Sequence, residues 1–156
     1  MKKSIASITG LFLAVALFLP GLVYSADVPP SVSQLVANAK KVIKTVNMTE
    51  FKAMYDKKNV GLLVDVRDPN EYAAGHIPGA INISRGTLEF KLWNQVGGHA
   101  KPDLNKKMTL YCGSGGRCSL ATKSLMDLGF TNVVAVNMKL ADWKKAGYPL
   151  ALEAKK

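Results

Sequence analysis

Lys107-Met108-Thr109-Leu110-Tyr111-Cys112-Gly113-Ser114-Gly115-Gly116-Arg117-Cys118-Ser119 is the stretch from which the rest of the chain becomes readable. Its first five residues form a short, largely apolar run that leads straight into a glycine-rich turn, the signature of a buried strand. Beyond the turn, Leu120, Ala121, Ser124, Leu125 and Leu128 recur at helical spacing up to Gly129, a glycine placed to end a helix. Asn132-Val133-Val134-Ala135-Val136 then supplies a second β-branched run. Strand, turn, helix, strand is the βαβ unit of a parallel α/β domain. Upstream, Val60-Gly61-Leu62-Leu63-Val64-Asp65-Val66 is nearly continuous in apolar residues and suits a strand covered on both faces. Asn47-Met48-Thr49-Glu50 offers a helix cap with Glu three residues on, opening a helix through Phe51, Met54 and Tyr55 that stops near Asn59. No internal repeat is present.

The turn itself carries the chemistry. Three glycines in four positions let the backbone curl into a nest of N–H groups, and the helix that follows adds partial positive charge at its N-terminus. Cys112 stands at the base of that nest, where strand carboxyl ends gather ligands in open α/β sheets. A thiolate there is solvated by amide donors and can pair with Arg117, so Cys112 is expected to be an activated nucleophile. An isolated cysteine would more simply be a packed core residue. A glycine-rich loop, which costs conformational entropy, is hard to explain by packing. Spacing does not settle where the Arg117 guanidinium points, and a plain surface role stays open for it.

Length and composition set the frame. The 156 residues fit one ordinary domain with something left over, and 48% hydrophobic with 21% charged residues excludes a disordered or collagen-like chain. Lys2 and Lys3, the apolar run Leu11 to Leu19, Pro20-Gly21 and the small residues Ser25-Ala26 read as a secretory signal peptide over residues 1–25, cut after Ser25 or Ala26. Its uninterrupted core is nine residues, against the roughly 20 that a spanning helix needs, so no stable membrane insertion is expected after cleavage. The destination is the periplasm or another exported location. Without Lys2 and Lys3, nineteen basic residues face eleven acidic ones, leaving about +8. The lysines are scattered in pairs without interleaved aromatics, which argues against a nucleic-acid partner and for a solvated surface that attracts small anions. Residues 26–44 read as a linker and an extra helix, capped by Ser31 and carrying Val32, Leu35, Val36 and Ala39; the domain proper spans 45–156.

Leu62-Leu63-Val64-Asp65-Val66-Arg67-Asp68-Pro69-Asn70-Glu71-Tyr72, then Gly75-His76-Ile77-Pro78-Gly79-Ala80-Ile81-Asn82-Ile83, the Cys112–Arg117 loop and the Trp143…Gly147-Tyr148-Pro149 tail closely resemble the single-domain rhodaneses, over about residues 45 to 150. The resemblance implies a three-layer α/β/α sandwich with a five-stranded parallel sheet, and sulfurtransferase activity through a cysteine persulfide. In that family the cysteine matching Cys112 takes the outer sulfur of a donor such as thiosulfate, expels sulfite and holds the sulfur until a thiophilic acceptor removes it. The acceptor is a thiol or cyanide, with a protein thiol among the candidates, and no cofactor is implied. By the same resemblance the amides of Gly113, Ser114, Gly115, Gly116, Arg117 and Cys118 hold the charge on sulfur, and Arg117 steers an anionic donor. Related phosphatases and arsenate reductases carry one more residue between Cys and Arg; four residues here, and Tyr111 in place of a preceding His, favour sulfur over a tetrahedral oxyanion. A non-catalytic sulfur carrier or thiol-redox module is the rival expectation.

His76, within a turn leading into a strand, is expected to brace the fold. His99 has no evident partner, and two histidines with two cysteines at these spacings match no zinc pattern, so no metal is expected. Asp65 and Arg67 are expected to make framework hydrogen bonds at a strand end, with a supporting role toward the loop as the alternative. Two departures from the family stand out. Asn137-Met138-Lys139 replaces a common Gly-Gly pair, which leaves that loop's contour open and offers Lys139 as a cation beside the pocket. Cys118 stands where Ser is more usual. It either fills space or partners Cys112 in redox chemistry, and its side chain is expected to point away from the centre of the nest, so that the two thiols stay mostly unlinked.

Overall fold

The apolar runs conceal an alternation. In the computed structural model, which describes residues 31–152, Leu63 and Val64 are neighbours on one strand and both buried, yet they belong to different hydrophobic cores. The strand is β2 (Leu62–Asp65), and it lies inside a five-stranded parallel sheet with β1 (Lys44–Val46), β3 (Ile81–Asn82), β4 (Met108–Tyr111) and β5 (Val133–Val136), in the order β1-β5-β4-β2-β3. Successive side chains point to opposite faces, so a strand apolar at every position needs cover on both.

One face packs Val64, Leu110 and Ala135 against Leu88 of α4 (Leu88–Lys91) and Ala121 and Leu125 of α5 (Gly116–Asp127). The other packs Leu63, Tyr111 and Val136 against Phe51 of α2 (Met48–Asp56) and Trp143 of α6 (Leu140–Lys145). Burying Phe51 completely contributes roughly 1.5–3 kcal/mol. The indole of Trp143 lies 5.1 Å from the Phe51 ring and donates its N–H to the Pro149 carbonyl at 2.9 Å, which fixes the end of the domain. Thr109, fully buried, donates its hydroxyl to the Val60 carbonyl. Three layers result, the α/β/α arrangement that the resemblance implied. The Asn47 cap is present, with reciprocal bonds between Asn47 and Glu50.

The chain ahead of α2 supplies a helix and the first strand of the sheet. Helix α1 (Val32–Val42), capped by Ser31 and Gln34, packs against α5, and Lys40 Nζ donates to Asn137 Oδ1 at 2.7 Å. The chain then enters the sheet at once, since β1 starts at Lys44 and pairs with β5. Three residues, two of them exposed, carry no apolar pattern; pairing alone makes them a strand. The signal-peptide reading of residues 1–25 falls outside the described residues.

Candidate functional site

β4 delivers Cys112 to the carboxyl edge of the sheet, and α5 starts four residues later. Between them Gly115 adopts φ +86°, a left-handed conformation that L side chains avoid, and a Cβ there would lie 3.0 Å from Asn137 Oδ1. The turn brings the Gly115 amide to 3.2 Å and the Cys118 amide to 3.4 Å from Cys112 Sγ, both donating to it. The Ser119 hydroxyl holds the Gly115 carbonyl at 2.6 Å, while the Gly113 carbonyl accepts from the Leu140 amide, tying the loop to α6. Ser114 is exposed, and a Cβ on Gly116 would meet Val36 of α1 at 3.7 Å. Of the cradle expected from Gly113 to Cys118, the hydrogen bonds to sulfur come from its middle and its end.

Cys118 lies elsewhere than expected. Its Sγ is 3.6 Å from that of Cys112, both thiols being free and buried. The reason is helical geometry: as the third residue of α5, Cys118 leans back toward the helix N-terminus and so over the loop. Around its sulfur stand the carbonyl oxygens of Gly115 at 3.3 Å and Val136 at 3.4 Å. The proton of the pair therefore belongs on Cys118. Its thiol, facing the Cys112 sulfur, together with the backbone amides of Cys118, Ser114 and Gly115, outweighs burial and lowers the Cys112 pKa to about 5. Cys118 is raised well above the usual thiol value by that same contact, by burial and by the Cys112 charge.

Arg117 is engaged. Its guanidinium forms a two-pronged pair with Glu71, at 2.6 and 2.8 Å, and Asp68 stands 3.6 Å away. The Arg117 hydrogen bonds, ahead of the cost of desolvation, lower the Glu71 carboxyl to about 2. The same Glu71 caps α3 (Pro69–Ala73) by accepting from the Asp68 amide. Arg117 was expected to pair with the Cys112 sulfur and to steer an anionic donor; its Nη1 and Nη2 each give one N–H to Glu71, which leaves the other N–H groups of the guanidinium for a further partner. Glu71 was hidden in the sequence as an ordinary residue of a helix start.

Beside the loop opens a cleft of about 400 Å³ lined by Arg67, Glu71, Gly75, Gly113, Leu140 and Lys144, among others. Arg67 is tied to the buried Asp65 through Nε and Nη2, the shortest contact being 2.6 Å, and donates to the Gly75 carbonyl. Burial opposes its charge, yet the hydrogen bonds and charge of Asp65 prevail and raise its pKa. Framework and cleft wall are thus one structure here. Lys139 is exposed and does not line the cleft; Lys144 does, one helical turn beyond Leu140 on the same face, a spacing legible in the sequence. His76 stacks on Tyr72 at 3.7 Å and pairs its backbone with Ala151, a bracing contact. His99 rests against Trp93, ring centres 4.7 Å apart.

A sequence model of the rhodanese-like domain matches residues 47–146. The chain is 32% identical over 115 residues to the thiosulfate:glutathione sulfurtransferase of Saccharomyces cerevisiae, covering 67% of this chain and 81% of that one. It is 30% identical to a putative sulfur carrier protein of Bacillus subtilis, covering 65% of this chain and 51% of that one. Matches to tRNA uridine(34) hydroxylases cover 26–38% of those longer proteins. Among solved structures, RPA3614 of Rhodopseudomonas palustris, described as a possible tyrosine phosphatase, superposes with a TM-score of 0.68 at 28% identity, covering 80% of this chain and 96% of that one.

Proposed function

This chain belongs to the rhodanese-like domain family, and from that premise we propose that it is an exported thiosulfate:acceptor sulfurtransferase working through a Cys112 persulfide. One observation carries the reading: two main-chain amides converge on the Cys112 sulfur at 3.2 and 3.4 Å, giving an anionic sulfur a prepared seat. The Cys112 thiolate attacks the outer sulfur of thiosulfate. A bond from Sγ to that sulfur forms as the sulfur–sulfur bond of thiosulfate breaks, and sulfite leaves with the bonding electrons. A thiolate or cyanide then attacks the outer sulfur of the persulfide and returns Cys112 to its starting state.

Cys112 is 1% exposed, so a donor reaches it only when the loop yields. Lys144, on the cleft wall and with no ion pair to the described residues, is the cation that meets an anionic donor there. Sulfur chemistry is favoured over phosphoryl chemistry because the four-residue ring is small and its arginine is held by Glu71. The test is intact mass after incubation with thiosulfate, with sulfite measured alongside. A gain of one sulfur atom mapped to Cys112, followed by thiocyanate formation when cyanide is added, is the expected result. No gain of sulfur overturns the proposal.

The burial of Cys112 also favours a carrier reading, in which only a docked protein draws the sulfur out. A stable gain of sulfur without turnover on cyanide or small thiols selects it. Export rests on the pattern of Lys2-Lys3, Leu11 to Leu19 and Ser25-Ala26. An N-terminus at Ala26 or Asp27 on protein from the periplasmic or culture fraction is expected, and an intact leader on protein from the cytoplasm overturns it.

A further inference from the structure

Cys118 is a buried nucleophile that the transfer chemistry leaves idle, and it lies 3.6 Å from the sulfur that would carry the cargo. We propose that Cys118 is a resolving thiol. It attacks Sγ of the Cys112 persulfide, closes a Cys112–Cys118 disulfide and expels the sulfane sulfur as hydrosulfide, which makes the protein a reductase of sulfane sulfur as well as its carrier. The inference rests on the persulfide reading above.

The step balances without an outside oxidant. The Sγ–Sγ bond forms as the bond from Cys112 Sγ to the outer sulfur breaks, and the Cys118 proton departs with that sulfur as hydrogen sulfide. The two cysteine sulfurs together lose two electrons and the sulfane sulfur gains them. Two thiols alone would need an added oxidant to close the same bridge, whereas the persulfide brings its own. A small dithiol then exchanges with the disulfide and restores both thiols.

Three features of the site suit this attack. Cys118 is absent from the cleft wall, which Gly113 lines, and sits against the Val136 carbonyl. The Cys118 sulfur thus stands on the Val136 side of Cys112 Sγ, and displacement at sulfur requires the outer sulfur to leave on the side away from it. The Gly115 and Val136 carbonyls position the protonated thiol beside its target. Loading also moves the negative charge from Cys112 Sγ to the outer sulfur, so the repulsion that keeps Cys118 protonated weakens once the cargo is aboard. Closure from 3.6 Å to a disulfide bond needs an approach of about 1.5 Å, within the span of a loop built from Gly113, Ser114 and Gly115.

The test is a single-turnover experiment without oxygen and without acceptor. Reduced protein is treated with thiosulfate, and sulfite, hydrosulfide trapped with a bimane reagent, and intact mass are followed together. Wild type is expected to release sulfite, then hydrosulfide, and to finish two hydrogens lighter than the reduced chain with one bridge between Cys112 and Cys118. Cys118→Ser is expected to release sulfite, keep the added sulfur and release hydrosulfide roughly tenfold or more slowly. A wild-type persulfide as long-lived as that of the variant overturns this inference and leaves the transferase reading standing. Failure of wild type to release sulfite or gain sulfur overturns both.

Discussion

Cys112 and Cys118 are six positions apart in sequence and 3.6 Å apart in space, yet the backbone presents opposite ends of the peptide group to them. Cys112 receives the amides of Gly115 and Cys118; Cys118 meets the carbonyls of Gly115 and Val136. One residue, Gly115, serves both sulfurs, its N–H turned to the first and its C=O to the second. What separates a nucleophile from a proton reservoir here is neither residue type nor burial, for both side chains are nearly fully buried. It is the direction of a few main-chain dipoles, which the left-handed Gly115 sets.

The comparison breaks most sharply at Cys112. Cys112→Ser is expected to keep the fold and to lower sulfur transfer from thiosulfate to cyanide on the order of a thousandfold or more, while Cys118→Ser is expected still to load sulfur. Equal losses in the two variants would show the asymmetry to be chemically empty. Alkylation of the unloaded protein by iodoacetamide should follow, with mapped adducts as the readout. The rate at Cys112 is expected to rise through about pH 5 and level off, because its thiolate forms there. At pH 7 Cys118, held above even an ordinary thiol, is expected to react roughly a hundredfold or more slowly.

Gly115→Ala attacks the shared residue. The substitution forces an L side chain into φ +86° and against Asn137, so a loss of about 1–2 kcal/mol in urea unfolding is expected. A rise in the alkylation midpoint of Cys112 should accompany it, as the amide turns away. The smallest effect belongs to Glu71→Gln. The Arg117–Glu71 pair is more than a third exposed, and solvent screening limits its contribution to about 1 kcal/mol or less at pH 7. Glu71 has a folded pKa depressed from 4.5 to about 2, so the pair stabilises fully above the unfolded value and loses its effect as pH falls toward the folded one. The stability gap between wild type and variant, measured by urea titration, is therefore expected to shrink between about pH 4.5 and 2.

Much of the fold was legible because burial on two faces writes itself as apolar runs. β2, β4 and β5 stand out in this way, as do the Asn47 and Ser31 caps and the glycines after Cys112. β1, three residues long, has no such imprint, since its neighbour in the sheet makes it a strand; β3, two residues long, was anticipated only as the strand that the His76 turn leads into. At the site, glycine content and position pointed to Cys112. The direction of Cys118 could have been argued from the backward lean of side chains in a first helical turn, yet it depends on where α5 begins. The sequence shows that Lys144 shares a helix face with Leu140, but not that this face borders the cleft, nor that Glu71 of α3 meets Arg117, because contacts between elements distant in sequence leave no local pattern.

The strand order carries a consequence for the timing of assembly. β1 sits at the edge of the sheet and has β5 as its neighbour, with Thr45 opposite Ala135. A chain emerging amino end first must leave its opening strand unpaired until nearly all of the sequence has followed. Closing so long a loop early brings little reward, so final assembly waits on the last strand and is slow for a chain of this size. The amide cradle is built between β4 and α5 and leans on the Val136 end of β5 and the neighbouring Asn137. Competence for sulfur thus arrives late, when the ends of the domain meet, and a half-made chain exposes no finished reactive thiolate.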